Sequence, residues 1–356
     1  MTGIKERKTG HVSIALKQRA HSGYRYWDDI RFVHEALPEI NYDDIDTSSY
    51  VLGKKLDFPF IVTAMTGGFK GAKKINENIA IACSELGIGM GIGSERAAIE
   101  GIHRESYSII KEYDIPLVIG NIGAPQLVKQ KSGKVYNNDD VSLAMELINA
   151  DFMAVHLNFL QESIQLEGDM NGRGCYDAIK SLAHDFPVIV KETGTGISPR
   201  TISRLDDTEI KAIDVSGVGG TSFSAVEMRR AADERNIMKQ KLGRTYLNWG
   251  IPTPVSLAGA STKIPIISSG GIINGLDVAK SIALGAICAG GSFVVLREST
   301  KSAKDVMDVL KCIKEEFKTA MMLTGCRSVG ELANINYVVI GRTKEWLEGF
   351  KWQTQK

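Results

Sequence analysis

From Pro59 onward the chain alternates between two hydrophobic periods. Short apolar runs rich in β-branched residues occur at 60–64, 88–92, 117–121, 152–156, 188–191, 212–215, 266–269 and 287–289 and read as strands. Between them lie segments of helical period at 73–86, 106–113, 141–149, 175–183, 200–206, 224–235 and 276–284, and a further one at 301–322 follows the last strand. Strands separated by helix-length segments make parallel βα units, and eight such units close most naturally into a (β/α)8 barrel, here over residues 51–325. The stretch 228–262 is too long for a simple connection, so it predicts an extra helix or excursion after the sixth strand. Residues 1–50 are charged and irregular, with turn chemistry at 41–44, and predict an N-terminal arm or cap. Residues 326–356 predict a small C-terminal helical tail. No internal repeat beyond the βα period and no low-complexity segment is visible.

Composition narrows the class without changing it. With 43% apolar and 24% charged residues in 356, the chain has ample material for a globular core. A formal net charge of +1 provides no global basic field, which argues against nucleic acid and acidic membranes as partners. The five cysteines are odd in number and none forms a CxxC pair, which disfavours a disulfide framework or a zinc site and suits a reducing cytosol. The segment MTGIKERKTGH lacks the apolar core of a signal peptide, and no run approaches membrane-spanning length, so the expectation is a soluble cytoplasmic protein. The 36 glycines exceed the usual ~7% share and cluster at the ends of predicted strands, where backbone approaches a ligand closely.

Barrel active sites form at the carboxyl ends of the strands, so the residues there carry the candidate chemistry. The fourth end, AVHLNFLQE at 154–162, places His156, Asn158, Gln161 and Glu162 within seven residues, and such groups are costly to bury unless each is paired. Thr63, Ala64, Met65 and Thr66 end the first strand with small residues against which a flat ligand can lie, although an ordinary βα turn reads equally well. After the second strand come Ser94 and Arg96; that arginine either forks onto a phosphate or carboxylate or is a solvated helix-start residue. Asn121 ends the third strand with an amide able to donate and accept, or simply to form a turn. Lys191 ends the apolar run PVIVK, where ammonium desolvation is costly unless an anionic cofactor or a path to the rim serves it.

The last three strand ends read SGVGGT with Ser216 and Thr221, SSGG with Gly270 and Gly271, and AGG with Ala289 and Gly290. Each glycine run alone is weak, but in this order, the last two leading into helices, they form a phosphate cradle. Arg7, Lys8 and His11 lie within five residues of the arm and read either as a solvated basic tail or as groups closing over a polyanion such as a diphosphate.

The segments ERKTGH, TAMTGG, GSERAAIE, GNIGAPQL, AVHLNFLQE with IQLEGD, VIVKETGTGIS, DVSGVGGTSFSAVE, WGIPT and SSGGIINGLDVAKSIALGA run in the same order over roughly 6–325 as in one family. By these segments the chain resembles the type 2, FMN-dependent isopentenyl-diphosphate delta-isomerases, in an archaeal-looking version. The resemblance implies a (β/α)8 barrel that binds FMN and Mg2+ and interconverts isopentenyl and dimethylallyl diphosphate. It implies FMN held by Thr63, Ala64, Met65, Thr66, Ser94, Asn121, Lys191, Ser216, Thr221, Gly270, Gly271, Ala289 and Gly290. The diphosphate would meet Arg7, Lys8, His11, Ser94 and Arg96, with His156, Asn158 and Gln161 nearby, and Glu162 would hold the Mg2+. Gln161, Lys191 and His156 would be the catalytic set. NADPH would serve only to reduce the flavin, and the assembly would be a homotetramer or larger.

Three positions depart from the family pattern: Glu95 stands for the usual glutamine, Phe159 for proline, and Gly10 where an acidic residue is common. Glu95 adds negative charge near a diphosphate unless it points away. A rival reading is an FMN-dependent oxidoreductase of the 2-hydroxy-acid oxidase type, whose barrels resemble one another in a catalytic histidine after the sixth strand. Here that loop is SGVGG and has no histidine, nor the cysteine that an IMP-dehydrogenase-like reading needs. A non-catalytic phosphate sensor would need neither the fourth-strand polar run nor the arm.

Overall fold

The computed structural model describes residues 23–354 together with Ile14, with side chains up to residue 350. Arg7, Lys8, Gly10 and His11 lie outside the described residues. In chain order the strands are β1 (Ile30–Phe32), the hairpin β2 (Ser49–Val51) and β3 (Lys54–Leu56), then β4 (Phe60–Val62), β5 (Gly89–Gly91), β6 (Val118–Gly123) and β7 (Phe152–Leu157). They continue as β8 (Val188–Glu192), β9 (Ala212–Asp214), β10 (Ile266–Ser269), β11 (Cys288–Gly290) and β12 (Tyr337–Val339). Strands β4–β11 are all parallel and close into one barrel, with β11 pairing back onto β4. These are the eight strands expected from the hydrophobic pattern, and the fold is the (β/α)8 barrel.

Strand alternation sorts the side chains into layers. Phe60, Val62, Met153, Val155, Val188, Val190 and Ile213 point outward and pack in the layer between barrel and helices. Ile61, Ile119, Ala154, Ile189, Ala212, Ile267 and Cys288 point inward and fill the barrel, joined from below by Val51 and Leu56 of the hairpin. Those two plugging side chains are fully buried, a burial that contributes about 1.5–3 kcal/mol each. Two residues further along each strand, the inward direction recurs at Thr63, Asn121, His156, Lys191, Asp214, Ser269 and Gly290. The change from apolar to polar in that second layer marks the working end of the barrel.

The connections follow local chemistry. The helix Asn138–Ile148 starts with a capping box between Asn137 and Asp140, and Pro199–Leu205 starts with a Ser198 cap and proline in its first turn. The segment 106–113 is divided into an α-turn at Glu105–Ser108 and a 3-10 turn at Ile109–Glu112. The long stretch after β9 contains the helices Ile237–Thr245 and Thr253–Ala258.

The C-terminal segment differs from a purely helical tail. A 3-10 turn at Val329–Asn334 precedes β12, which pairs antiparallel with β1 (Ile30 opposite Val339), and the helix Gly341–Thr354 follows. Three residues paired with a partner some 300 positions away leave no local periodicity to read. On the other side of that pair, Trp27 is buried and its indole donates to the Gly270 carbonyl at 3.1 Å, while its own carbonyl accepts from Lys280 Nζ at 2.8 Å. Arg25 adds an ion pair to Asp277 at 3.2 Å. The N-terminal turn is thereby bolted to the glycine loop after β10.

Candidate active site

Every described residue of the predicted set except Ala289 lines one cavity at the carboxyl end of the barrel. About 1410 Å³ of space lies within this lining, part of it open solvent. Ala289 is buried in β11 and packs in the barrel–helix layer; its neighbour Gly290 forms the wall instead.

Backbone makes up the wall formed by β9, β10 and β11. A Cβ at Gly220 would stand 2.7 Å from the Gly271 nitrogen, and one at Gly290 would stand 2.4 Å from Thr63 Cγ2. Gly270 has φ +103, and a side chain there would also meet the Gly217 carbonyl at 2.4 Å. Its own carbonyl is occupied by Thr253 Oγ1 at 2.8 Å as well as by Trp27. Of the two helices that follow these loops, Gly275–Ala283 is capped by the Asn274 side chain, whereas Phe293–Ser299 has no side-chain cap. The turn at Gly291 and Ser292 faces the cavity, with the Gly291 N–H already donating to the Ile61 carbonyl at 3.1 Å. The glycine-walled cleft fits a flat phosphorylated cofactor.

The opposite side is built by β7 and the helix Phe159–Ile164. Asn121 Nδ2 donates to the Ile92 carbonyl at 3.1 Å, which fixes its amide and leaves Oδ1 to accept from His156 Nδ1 at 2.6 Å. A neutral His156 therefore carries its proton on Nδ1. Glu162 is buried, with one oxygen accepting from Asn158 Nδ2 at 2.8 Å and the other from Gln165 Nε2 at 3.2 Å and the Asp169 N–H at 2.7 Å. Asn158 Oδ1 is buried and makes no hydrogen bond. Glu162 and that amide oxygen are hard donors of the kind a divalent cation takes, although the described residues contain no group of three or more His, Cys, Asp or Glu that could hold a metal. Any cation here shares its shell with ligand oxygens and water.

Several residues at this site were not singled out by the sequence pattern. Glu227, on the helix Phe223–Asp233, accepts from Gln161 Nε2 at 3.3 Å and is held by Arg230 at 2.6 Å, itself paired to Glu167 at 3.0 Å. Helix-surface acidic residues look alike in sequence, so only the chain's return to β7 distinguishes Glu227. Arg96 pairs with Asp169 at 2.8 Å and with Glu100 at 3.2 Å, so an incoming anion meets a guanidinium already engaged by carboxylates. Glu95 points away from the cavity: it is fully buried and accepts from the Asn121 N–H at 2.8 Å.

Lys191 is buried and donates to the Glu192 carbonyl at 2.8 Å. Burial pushes the Glu192 carboxyl up to about 7, against the N–H groups of Thr195 and Thr193 and the Lys191 charge, which favour ionisation. Burial also raises Asp214, with the Lys191 ammonium and the Ser269 hydroxyl drawing it back.

Comparison with known proteins agrees with this geometry. Residues 161–338, half of the chain, match the FMN-dependent dehydrogenase family. The fold is shared with the recombinant flavin-binding domain of baker's yeast flavocytochrome b2, at TM-score 0.63 and 18% identity over 91% of this chain and 81% of that one. It is shared also with a mandelate oxidase variant, at TM-score 0.60 and 16% identity over 94% and 98%. At such identities the likeness shows the fold alone; with the family match it defines the class as FMN-dependent barrel enzymes. Proteins called isopentenyl-diphosphate delta-isomerase are much nearer. That of Thermoplasma acidophilum is 49% identical over 97% of this chain and 99% of its own, and that of Picrophilus torridus is 43% identical over 98% and 100%. The chain belongs to the isopentenyl-diphosphate delta-isomerase family, an isomerase family, which favours that reading over the oxidoreductase.

Proposed function

We propose that this chain interconverts isopentenyl and dimethylallyl diphosphate for isoprenoid biosynthesis, with FMN in the glycine-walled cleft, Mg2+ on Glu162 and NADPH as the flavin's reductant. The observation that carries the reading is the meeting, in one cavity, of that cleft with the oxygen-rich face of Asn158, Gln161 and Glu162. The reaction adds a proton to one carbon of an alkene and removes one from another, with no net redox change. Reduced FMN, when bound, supplies an anionic ring edge and a nitrogen able to act as acid or base.

The protein's share is orientation and electrostatics. Lys191 supplies the positive charge under the cleft that favours an anionic ring. Gln161 is held by Glu227 and positions the substrate; as an amide it is a poor proton donor, so its part is to fix geometry. His156, held in one tautomer by Asn121, presents a defined edge at the same rim. Arg96, with Arg7, Lys8 and His11 of the arm, takes the diphosphate, and Glu162 takes the cation that neutralises it. Ser94 serves both ligands, while Thr63 to Thr66, Asn121, Ser216, Thr221, Gly270, Gly271 and Gly290 line the flavin. The same reading takes 1–50 as an arm, 51–325 as the FMN-binding barrel and 326–356 as a tail, in a cytoplasmic homotetramer or larger assembly.

The test is an anaerobic assay following isopentenyl to dimethylallyl diphosphate with FMN oxidised or reduced, with and without Mg2+. Turnover that needs both reduced FMN and metal is expected, and Glu162→Gln, which alters a ligand itself, should lower it by more than the ~10–100-fold that loss of a ligand's supporting partner costs. A flavin-loaded protein that never isomerises but oxidises a 2-hydroxy acid would overturn the reading.

A further inference from the structure

The inward polar layer holds two buried charges that the reaction scheme treats unequally. Lys191 and Asp214 occupy paired positions on the adjacent parallel strands β8 and β9, and they are 9% and 4% exposed. Both line a small space inside the barrel, whose walls share Thr63, Ala64 and Lys191 with the active-site cavity. Lys191 reaches both spaces; Asp214 reaches only the lower one. One Asp214 oxygen accepts from Ser269 Oγ at 2.6 Å and from the Ser216 N–H at 3.2 Å. Ser216 sits at φ +34, a region that non-glycine residues rarely adopt, and its carbonyl accepts from the Gly194 and Gly196 N–H groups. The carboxylate is therefore anchored by three strand ends and cannot move to the ligand.

We propose that Asp214 is a positioning residue for Lys191, a fixed counter-charge one strand away that sets how strongly the ammonium favours a reduced, anionic flavin over an oxidised one. This rests on FMN occupying the cavity. The reduced ring carries one more negative charge than the oxidised ring, and in a low-dielectric floor the two side chains act on that charge with opposite sign. A lone lysine would hold the reduced form most tightly but would also repel the positive charge that develops on the substrate carbon. The Lys191–Asp214 pair leaves the floor close to neutral while the ammonium remains the nearer group.

Asp214→Asn removes the charge and keeps an acceptor for Ser269 and Ser216. Dissociation constants of oxidised and reduced FMN, measured anaerobically on the purified full chain, should shift in ratio by about tenfold in favour of the reduced form. That corresponds to a rise of about 30 mV in the two-electron potential. Equal losses of both affinities, or a shift toward the oxidised form, would overturn the proposal and leave Asp214 a structural role. Stability of the flavin-free protein is the second measurement. Lys191→Met strands a buried carboxylate and should lower Tm by several degrees, and the Asp214→Asn/Lys191→Met double variant should recover most of that loss. Additive losses in this cycle would contradict the pairing, and if Asp214→Asn alone fails to fold, a double variant no more stable than Lys191→Met would contradict it too. A wild-type protein that binds neither form of FMN would instead defeat the cofactor reading, and the cycle would still decide the pair.

Discussion

At the scale of single residues, the barrel's second inward layer decides the chemistry, and Glu192 is its most informative neighbour. Its side chain lies beside that layer, buried, and is protonated up to about pH 7 in the folded protein against an ordinary 4.5. A carboxyl raised in this way contributes stability in full below the unfolded value, and that contribution is lost as pH rises toward 7. At ~1.4 kcal/mol per pH unit the loss is about 3 kcal/mol. Urea unfolding at pH 5 and pH 8 should show this fall in the wild type and a flatter profile in Glu192→Gln; identical pH slopes in the two proteins would remove Glu192 as the cause. The residues named from strand ends, such as Lys191 and Gln161, were legible because they break an apolar run. Glu227 and Asp169 were not, because a polar residue on a helix or loop breaks no pattern.

Secondary-structure elements show the same division between local and distant causes. Eight strands and the helices between them follow from period and caps, but the β1–β12 pair does not. Asp29 holds that corner together: it is buried and accepts from Tyr24 Oη at 2.8 Å and from the Thr343 N–H and Oγ1 at 2.9 Å each. Asp29→Ala leaves these donors without their partner, at a cost of about 2–3 kcal/mol. In hydrogen exchange, the amides of Gly341–Thr354 should lose protection first while those of β6–β8 keep theirs. Uniform loss across the barrel would mean that the corner is not a separate unit. Because Trp27, three residues before β1, also holds the Gly270 carbonyl, this corner braces the glycine wall from behind.

Over the whole molecule, barrel closure at Cys288 and the packing of helices and the C-terminal segment onto the barrel at Cys83, Cys175 and Cys326 place four of the five cysteines out of reach. Cys83, Cys175, Cys288 and Cys326 are buried and free, and Cys312 is exposed on the helix Ala303–Met322. Burial raises the thiols of all four buried ones. A thiol reagent should therefore modify one group rapidly in the native protein and the other four only at the rate of unfolding, with Tm unchanged by reductant. Fast reaction of a second thiol, mapped by mass spectrometry, would show a local opening of the packing that buries it.

The sequence by itself determined the eight strands, their order and the inward polar positions, because a buried parallel strand must be apolar along its length and any polar residue at its end is conspicuous. It also determined the glycine wall, since only backbone packs that closely. Beyond Glu162, the tertiary structure alone decided which carboxylates stand at the site and which do not. It turned Glu95 into the barrel wall, brought Glu227 to Gln161, set Asp169 on Arg96, and stood Asp214 beside Lys191. Those choices depend on which element passes which, through contacts tens of residues apart that leave no trace in local periodicity.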